Sequence, residues 1–260
     1  MLDFRVFSWN TLWPMAASAI VAMTALSGAA GAQTFNFMSS GTCGSEACSA
    51  YAAITPGNGT LTVVLTDMQA NPVSAGDLLS AIKITLSSSA ITATLSSQNG
   101  ALIDVIGNGP GASVAGAPTH WGVGVSGSQI ILETAGSFAV GGKPIDMIIG
   151  SPGTGGYTNG NSSITNGHFS SYINGTATFV LADAAITKAT TMTSIEFGFG
   201  TTPDTFLAGV HVKPAPEPAS LGLFITSLLG LSLVARRNRC RDRAPLPHSG
   251  NRRSGLAPRA

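Results

Sequence analysis

Ile82-Lys-Ile-Thr-Leu86 alternates apolar and polar residues at every position, and this short stretch decides the fold class. Successive side chains of a β-strand point to opposite faces of the sheet, so such alternation predicts a half-buried strand. Six further segments are also typical of strands: 61–66, 91–95, 102–106, 129–133, 176–181 and 194–199. Short strands that follow one another in this way predict a mostly β fold.

Asn-Gly dipeptides lie among these segments, at residues 58–59, 99–100, 159–160, 166–167 and 174–175. Asn and Gly accept the positive φ angles of tight turns, so each dipeptide predicts a turn. Short strands with frequent turns predict one β-sandwich-like or barrel-like domain over residues 33–213. The single predicted helical piece is short, residues 75–82, with Asp77 as its expected cap.

The N-terminus has the composition of a secretory signal peptide over residues 1–32. Arg5 precedes an apolar stretch at 15–26, and Ala30-Gly31-Ala32 supplies the small residues that a signal peptidase recognises. This pattern predicts export and cleavage before Gln33. An uncleaved anchor or a buried core helix is the competing interpretation, and the apolar run is short for a membrane span.

A second apolar segment, ASLGLFITSLLGLSLVA at residues 219–235, contains no charged residue. It is followed by a cluster of arginines: Arg236, Arg237, Arg239, Arg241 and Arg243. A helix of this length extends about 25 Å, the short end for a transmembrane span. Because positive flanks stay in the cytoplasm, the preceding domain is expected outside, and residues 244–260 form a basic cytoplasmic tail expected to be disordered. A buried globular helix is the alternative.

Lys213-Pro-Ala-Pro-Glu-Pro218 lies directly before this segment, and its three prolines exclude helix and favour an extended strip. Pro216-Glu217-Pro218, the apolar span and the arginines, together residues 214–243, resemble the sorting signal of PEP-CTERM proteins. The resemblance implies cleavage near the Pro-Glu-Pro by an exosortase, a membrane transpeptidase-like enzyme, in Gram-negative bacteria that make exopolysaccharide. Members of the family usually end soon after the arginines, whereas this chain continues to Ala260.

The charge of the predicted outer domain argues against nucleic acid as a partner. Residues 33–213 contain nine acidic residues, four lysines and no arginine, which gives a net charge of −5. Only 10% of the whole chain is charged, and 32 of its 260 residues are glycine, as suits an exported β-rich domain. A domain without arginine has no basic surface for phosphates, so no nucleic acid is expected to bind.

Cys43 and Cys48 lie close together in a stretch that the signal peptide directs to an oxidising compartment. A disulfide is the natural interpretation. A metal pair competes with it, although two thiols without a nearby His or second cysteine pair cannot complete a zinc site. Cys240, among the arginines, is expected to remain reduced.

The outer domain shows no enzyme signature, and it is predicted to be non-enzymatic and to need no cofactor. It has no G-x-S-x-G nucleophile turn, and His120, His168 and His211 stand alone in the sequence. Ser80 and Lys83 match S-x-x-K, yet without the companion motifs of that class and at the start of an alternating strand, so the match is attributed to chance.

Two kinds of binding stay open. The loop from Asp67 to Asp77 is rich in oxygen ligands but fails as an EF-hand, because Pro72 and Leu78 replace the required Gly and Glu. A less regular calcium site remains an alternative. Sugars stack on exposed rings, and the candidate rings are Tyr51, Trp121, Tyr157 and Tyr172, of which Tyr157 is expected to be exposed.

The sequence therefore predicts an exported surface or matrix protein, processed by an exosortase in an exopolysaccharide or biofilm setting. The competing hypothesis is a secreted carbohydrate-binding module on the same sorting signal, with exopolysaccharide as its partner, and an enzyme comes third.

Overall fold

In the computed structural model the described residues are 32–88, 91–202 and 205–213, and they form a mostly β fold, which confirms that prediction. The strands of these residues are β1 (Phe35–Cys43), β2 (Glu46–Pro56), β3 (Thr60–Asp67), β4 (Leu79–Leu86), β5 (Thr94–Asp104), β6 (Ala112–Val114), β7 (Gly122–Ser126), β8 (Gln129–Glu133), β9 (Ile148–Ile149), β10 (Tyr172–Ala182), β11 (Met192–Phe199), β12 (Thr205–Ala208) and β13 (Val210–Val212). Helical structure there consists of a 3-10 turn, Ala75–Asp77, and α1, Ser162–Thr165.

All thirteen described strands belong to one hydrogen-bonded sheet, which divides into two groups. The first group has the order β7-β8-β4-β11-β12, and the second has the order β6-β5-β10-β3-β2-β1-β13. The short strand β9 joins them, because it pairs with Leu79 of β4 and with Ile173 of β10. Only Gly209 separates β12 from β13 in the chain, so the two ends of the sheet lie close together.

The main hydrophobic core is built from the inward side chains of both groups. Ile82 and Ile84 of β4 share it with Val63 of β3, and all three are fully buried. Trp121, just before β7, packs on Phe179 of β10 with ring centroids 4.7 Å apart. Residues of the two strand groups thus cover each other's apolar faces, as the period-two pattern requires.

A smaller core lies beneath the loops that connect the strand groups. Its buried members are Ala75, Leu78, Ile103, Val105, Met147, Ile149, Tyr157, Ile164 and Tyr172. Several of them come from irregular segments, so their burial does not follow a strand period. Phe169 packs against this cluster from outside.

The predicted strand segments are largely confirmed, with two changes at Asn-Gly dipeptides. Segments 91–95 and 102–106 contribute to a single strand, β5, and Asn99-Gly100 lies inside it. Asn174-Gly175 lies inside β10, where the pairing with β5 shifts register between Ile173 and Ala177. Gly175 has φ +71° there, so the dipeptide forms a bulge within a long strand and not a turn between strands.

The predicted helix over residues 75–82 is wrong for most of its length. Only Ala75–Asp77 is helical, as a 3-10 turn, and β4 begins at Leu79. Ser74 is the N-cap, while Asp77 completes a capping box by accepting a hydrogen bond from the Ser74 N–H at 2.9 Å. β4 pairs with β11 on one side and with β8 on the other, and this pairing outweighs the local helical signal.

The hairpin of β1 and β2 is absent from the predicted segments, although it is among the longest pairs of strands. Its register runs from Phe35 opposite Ile54 to Cys43 opposite Glu46. The inward side chains of β2 include Ala50 and Ala52, which are fully buried but small. A run of small residues shows weak hydrophobic alternation, so this strand has little signal in the sequence pattern.

Candidate functional site

The residues of the predicted sorting signal lie outside the described part of the chain. This applies to Pro216, Glu217 and Pro218, to the arginines Arg236, Arg237, Arg239, Arg241 and Arg243, to the span at 219–235 and to residues 1–31 of the signal peptide. Within the described residues, none of the helices has the length and apolar character needed to cross a bilayer.

Cys43 and Cys48 form a disulfide that closes the tip of the β1–β2 hairpin. Their sulfur atoms are 2.08 Å apart and their Cα atoms 5.8 Å apart. The turn between them includes Gly44 with φ +66°, a conformation that glycine adopts at little cost. Both cysteines are buried at the edge of the main core, so the bridge anchors the end of the hairpin to it.

Three of the four aromatic rings that the sequence offers for sugar binding are buried and cannot form a platform. Trp121, Tyr157 and Tyr172 are fully buried, so the expectation that Tyr157 is exposed is wrong. Tyr51 is partly buried and donates a hydrogen bond to Asn36 Oδ1 at 2.7 Å. Each buried ring is held by a polar atom as well as by packing, for example Tyr157 through its hydroxyl and the Gly150 carbonyl at 3.1 Å.

Two other aromatic rings, both phenylalanines, lie on the outer face of the first strand group. Phe138, in the loop after β8, is 42% exposed and lies over Gly124 of β7. Phe206 of β12 lies over its cross-strand partner Gly198. A Cβ atom at Gly124 would lie 2.2 Å from the Phe138 ring, and one at Gly198 would lie 2.8 Å from the Phe206 ring. Glycine therefore lets both rings rest on the sheet.

Between the two rings lies a groove of about 320 Å³, which we call the outer groove. Ile131 and Lys83, which are cross-strand partners in β8 and β4, line it together with Glu133. In a strand, residues two apart share a face, so Ile131 and Glu133 point to the same side of the sheet.

Charged groups add polar atoms to the largely apolar lining of the outer groove. The Lys83 ammonium lies 3.4 Å from the centroid of the Phe206 ring and 3.6 Å from a carboxylate oxygen of Glu196. Glu133 is 5% exposed, and its Oε1 accepts a hydrogen bond from the Phe138 N–H at 2.7 Å. This bond holds the Phe138 loop against the sheet. Aromatic faces beside an ammonium and a carboxylate can contact both the C–H and the hydroxyl groups of a small polar ligand.

A second polar cluster surrounds the buried side chain of Asp146, and the sequence did not indicate it. Oδ2 of Asp146 lies 2.7 Å from Nδ1 of His120 and accepts the backbone N–H of Thr119 at 2.9 Å. Oδ1 accepts the hydroxyl of Ser171 at 2.9 Å, and the Asp146 carbonyl accepts the Trp121 indole N–H at 2.7 Å. His120 is therefore paired, contrary to the expectation that each histidine stands alone.

The geometry of this cluster fits a structural role better than that of a catalytic triad. In a triad the serine bonds the imidazole, whereas the Ser171 hydroxyl bonds the carboxylate. Asp146 also has φ +60°, which is uncommon outside glycine and asparagine. The one sequence signal was a lone Asp in an apolar segment, and nothing in the sequence linked it to residues about 26 positions earlier.

The S-x-x-K match has no catalytic geometry. Ser80 is fully buried, and its hydroxyl lies 3.5 Å from the Gly198 carbonyl. Lys83 points to the outer face, where it contacts Phe206. Residues three apart in a strand lie on opposite faces, so the serine and the lysine cannot meet.

The loop from Asp67 to Asp77 uses its carboxylates on its own backbone. Asp67 accepts the N–H groups of Gln69 at 2.9 Å and Leu79 at 3.4 Å, while Asp77 accepts that of Ser74. Burial raises the pKa of Asp67 to about 8, although the backbone hydrogen bonds act in the opposite direction. Across residues 32–88, 91–202 and 205–213, no three His, Cys, Asp or Glu side chains are grouped to hold a metal ion.

Comparisons with protein families, with curated proteins and with solved structures find no match for this chain. Its function is therefore inferred from its own residues.

Proposed function

We propose that this chain is a non-enzymatic surface or extracellular-matrix protein that is exported, inserted in a membrane by residues 219–235 and processed by an exosortase in an exopolysaccharide or biofilm setting. The order Pro216-Glu217-Pro218, apolar segment and arginine cluster carries the proposal. The disulfide between Cys43 and Cys48 supports it, because such bridges persist in oxidising compartments. In this proposal the two strand groups form a sandwich-like scaffold.

The Pro-Glu-Pro strip, the apolar segment and the arginine cluster have separate physical roles in this proposal. Glu217 lies between two prolines, so its carboxylate is presented on an extended strip that an enzyme can bind. The apolar segment holds the strip at the outer face of the membrane. The arginines keep it from sliding outward, because moving a charge into hydrocarbon costs about 2.5–3.5 kcal/mol per residue on insertion scales.

The test follows the C-terminal tail in cells with and without an exosortase. Blots against the ectodomain and against the tail should show that wild type loses its tail only when the exosortase is present. Glu217→Ala should keep the tail there and accumulate in the membrane. Pro214→Ala, a change in the same strip outside the motif, should be processed like wild type.

The proposal fails if wild type and Glu217→Ala both keep the tail in exosortase-positive cells. Residues 219–235 would then be a permanent anchor and no part of a sorting signal.

The second candidate function is carbohydrate binding, and the outer groove is the observation that favours it. Its two rings flank Lys83 and Glu133, a combination that can stack on a sugar ring while bonding its hydroxyl groups. Phe138→Ala and Phe206→Ala should each abolish saturable retention of the protein on the polysaccharide of its own host. Ile106→Ala, which alters an exposed side chain outside the groove, should leave retention unchanged. Equal retention of all three variants would reject this function.

A further inference from the structure

An uncharged apolar surface lies where the described chain ends. Its four exposed apolar side chains are Met38 of β1, Met68 just after β3, and Val210 and Val212 of β13, with exposed fractions of 38%, 47%, 70% and 37%. They line a groove of about 440 Å³, whose other described lining residues are serines and one alanine. We call this surface the exit patch.

The register of β1 and β13 places side chains of the exit patch on one face of the sheet. Met38 is the cross-strand partner of Val210, and Asn36 is the partner of Val212 two residues along each strand. Residues two apart in a strand point to the same side, so both valines face outward beside Met38. The Met68 N–H bonds the Ser49 carbonyl at 2.9 Å, which places Met68 at the same corner of the sheet.

The distance to the predicted membrane span is short. Residues 213–218 join Val212 to residue 219, and an extended proline-rich strip of that length reaches about 19 Å. A globular domain of this size has a diameter of about 40 Å by the usual scaling of its radius of gyration. The strip is therefore shorter than the domain, and the exit patch must stay close to the bilayer surface.

From these two observations we propose that the exit patch docks on the lipid bilayer, with Met38, Met68, Val210 and Val212 at the boundary between headgroups and acyl chains. This inference rests on the proposed membrane span. The lining of the exit patch contains no charged side chain, so it can enter that boundary without desolvating an ion. Lys213, exposed beside the patch, can contact lipid phosphates. Docking would hold Pro216-Glu217-Pro218 at the membrane surface, at the depth where a membrane enzyme acts.

The experiment measures tryptophan fluorescence of the mature chain, which begins at Gln33, reconstituted in vesicles of phosphatidylethanolamine and phosphatidylglycerol. Half of the samples contain lipids with brominated acyl chains, which quench a tryptophan that reaches the acyl boundary. Met68→Trp and Val210→Trp should lose most of the emission that they add to the parent protein, and that emission should shift to shorter wavelength. Ile106→Trp, at a side chain that is 77% exposed outside the patch, should keep its added emission in full.

Resistance of each variant to extraction from the vesicles by alkaline carbonate is measured in the same samples. If the chain stays inserted but Met68→Trp and Val210→Trp are quenched no more than Ile106→Trp, docking is overturned and the proposed span stands. If the chain is extracted, the proposed span is overturned and docking with it.

Discussion

The two hydrophobic cores of this domain are assembled in different ways. In the main core, alternate residues of regular strands face each other, and the contacts are almost entirely apolar. In the smaller core, irregular segments are held in place by polar atoms, such as the carboxylate of Asp67 and the hydroxyl of Tyr157. The stability of the main core depends on the volume of its side chains, because the free energy gained by burying apolar area does not depend on the direction of a contact. The stability of the smaller core also depends on individual hydrogen bonds, whose strength varies with the angle between donor and acceptor.

The largest effect is expected from loss of volume in the main core. Phe179→Ala should lower the free energy of unfolding by about 3–5 kcal/mol, since it removes a buried ring that packs on Trp121. Phe179→Leu should restore much of that loss, because it refills the volume. Denaturant unfolding of the outer domain measures both variants. Equal losses for Ala and Leu would show that the main core also depends on a specific contact.

A smaller effect is expected at Asp146, where a substitution that refills the lost volume should not restore stability. Asp146→Ala should cost about 1–3 kcal/mol, because it removes a buried carboxylate and leaves the Thr119 N–H without its acceptor. Asp146→Leu should restore nothing, since volume without an acceptor does not satisfy that group. Glu196→Ala is the control, because an exposed ion pair contributes about 0–1 kcal/mol. Recovery of stability in Asp146→Leu would show that this site depends on side-chain volume, as the main core does.

Stability is also expected to change gradually with pH, through the protonation of Asp67. Burial raises its pKa to about 8 in the folded protein, so the folded state binds this proton more tightly than the unfolded state. Its contribution is complete below the unfolded pKa near 4 and is lost as the pH rises to about 8, at up to about 1.4 kcal/mol per pH unit.

Unfolding midpoints at pH 5 and pH 8 measure this dependence. Wild type should lose more stability between the two values than Asp67→Asn, which has no proton to release there. Parallel losses in both proteins would show that Asp67 does not titrate in this range.

The strands of the main core were mostly predictable, and the polar parts were not. Alternation in residues such as Ile82 to Leu86 is a local pattern, and it located β3, β4, β8, β10 and β11. The hairpin of β1 and β2 was not predicted, because Ala50 and Ala52 are small and the hydrophobic alternation is weak. The predicted helix at residues 75–82 failed because β4 is paired on both sides, and pairing is a property of distant strands.

The outer groove is another part of the molecule that the sequence did not predict. Phe138 and Phe206 carry no motif, and their positions on the sheet depend on the space that Gly124 of β7 and Gly198 of β11 leave for the two rings. Trp121 and Tyr157 are the kinds of residue that bind sugars, yet both are buried. Residue type alone could not separate these cases, because exposure depends on what packs over each ring.

The sequence by itself determined the mostly β class, the proximity of Cys43 and Cys48, and the composition of the two ends, because each of these is written in neighbouring residues. Tertiary structure alone decided that Asp146 meets His120 and Ser171, that two phenylalanines frame a groove, and that Met38 and Met68 lie beside Val210 and Val212. These groupings join residues far apart along the chain. Their contacts arise only when strands pair in one register, and that register is chosen by the packing of the whole sheet.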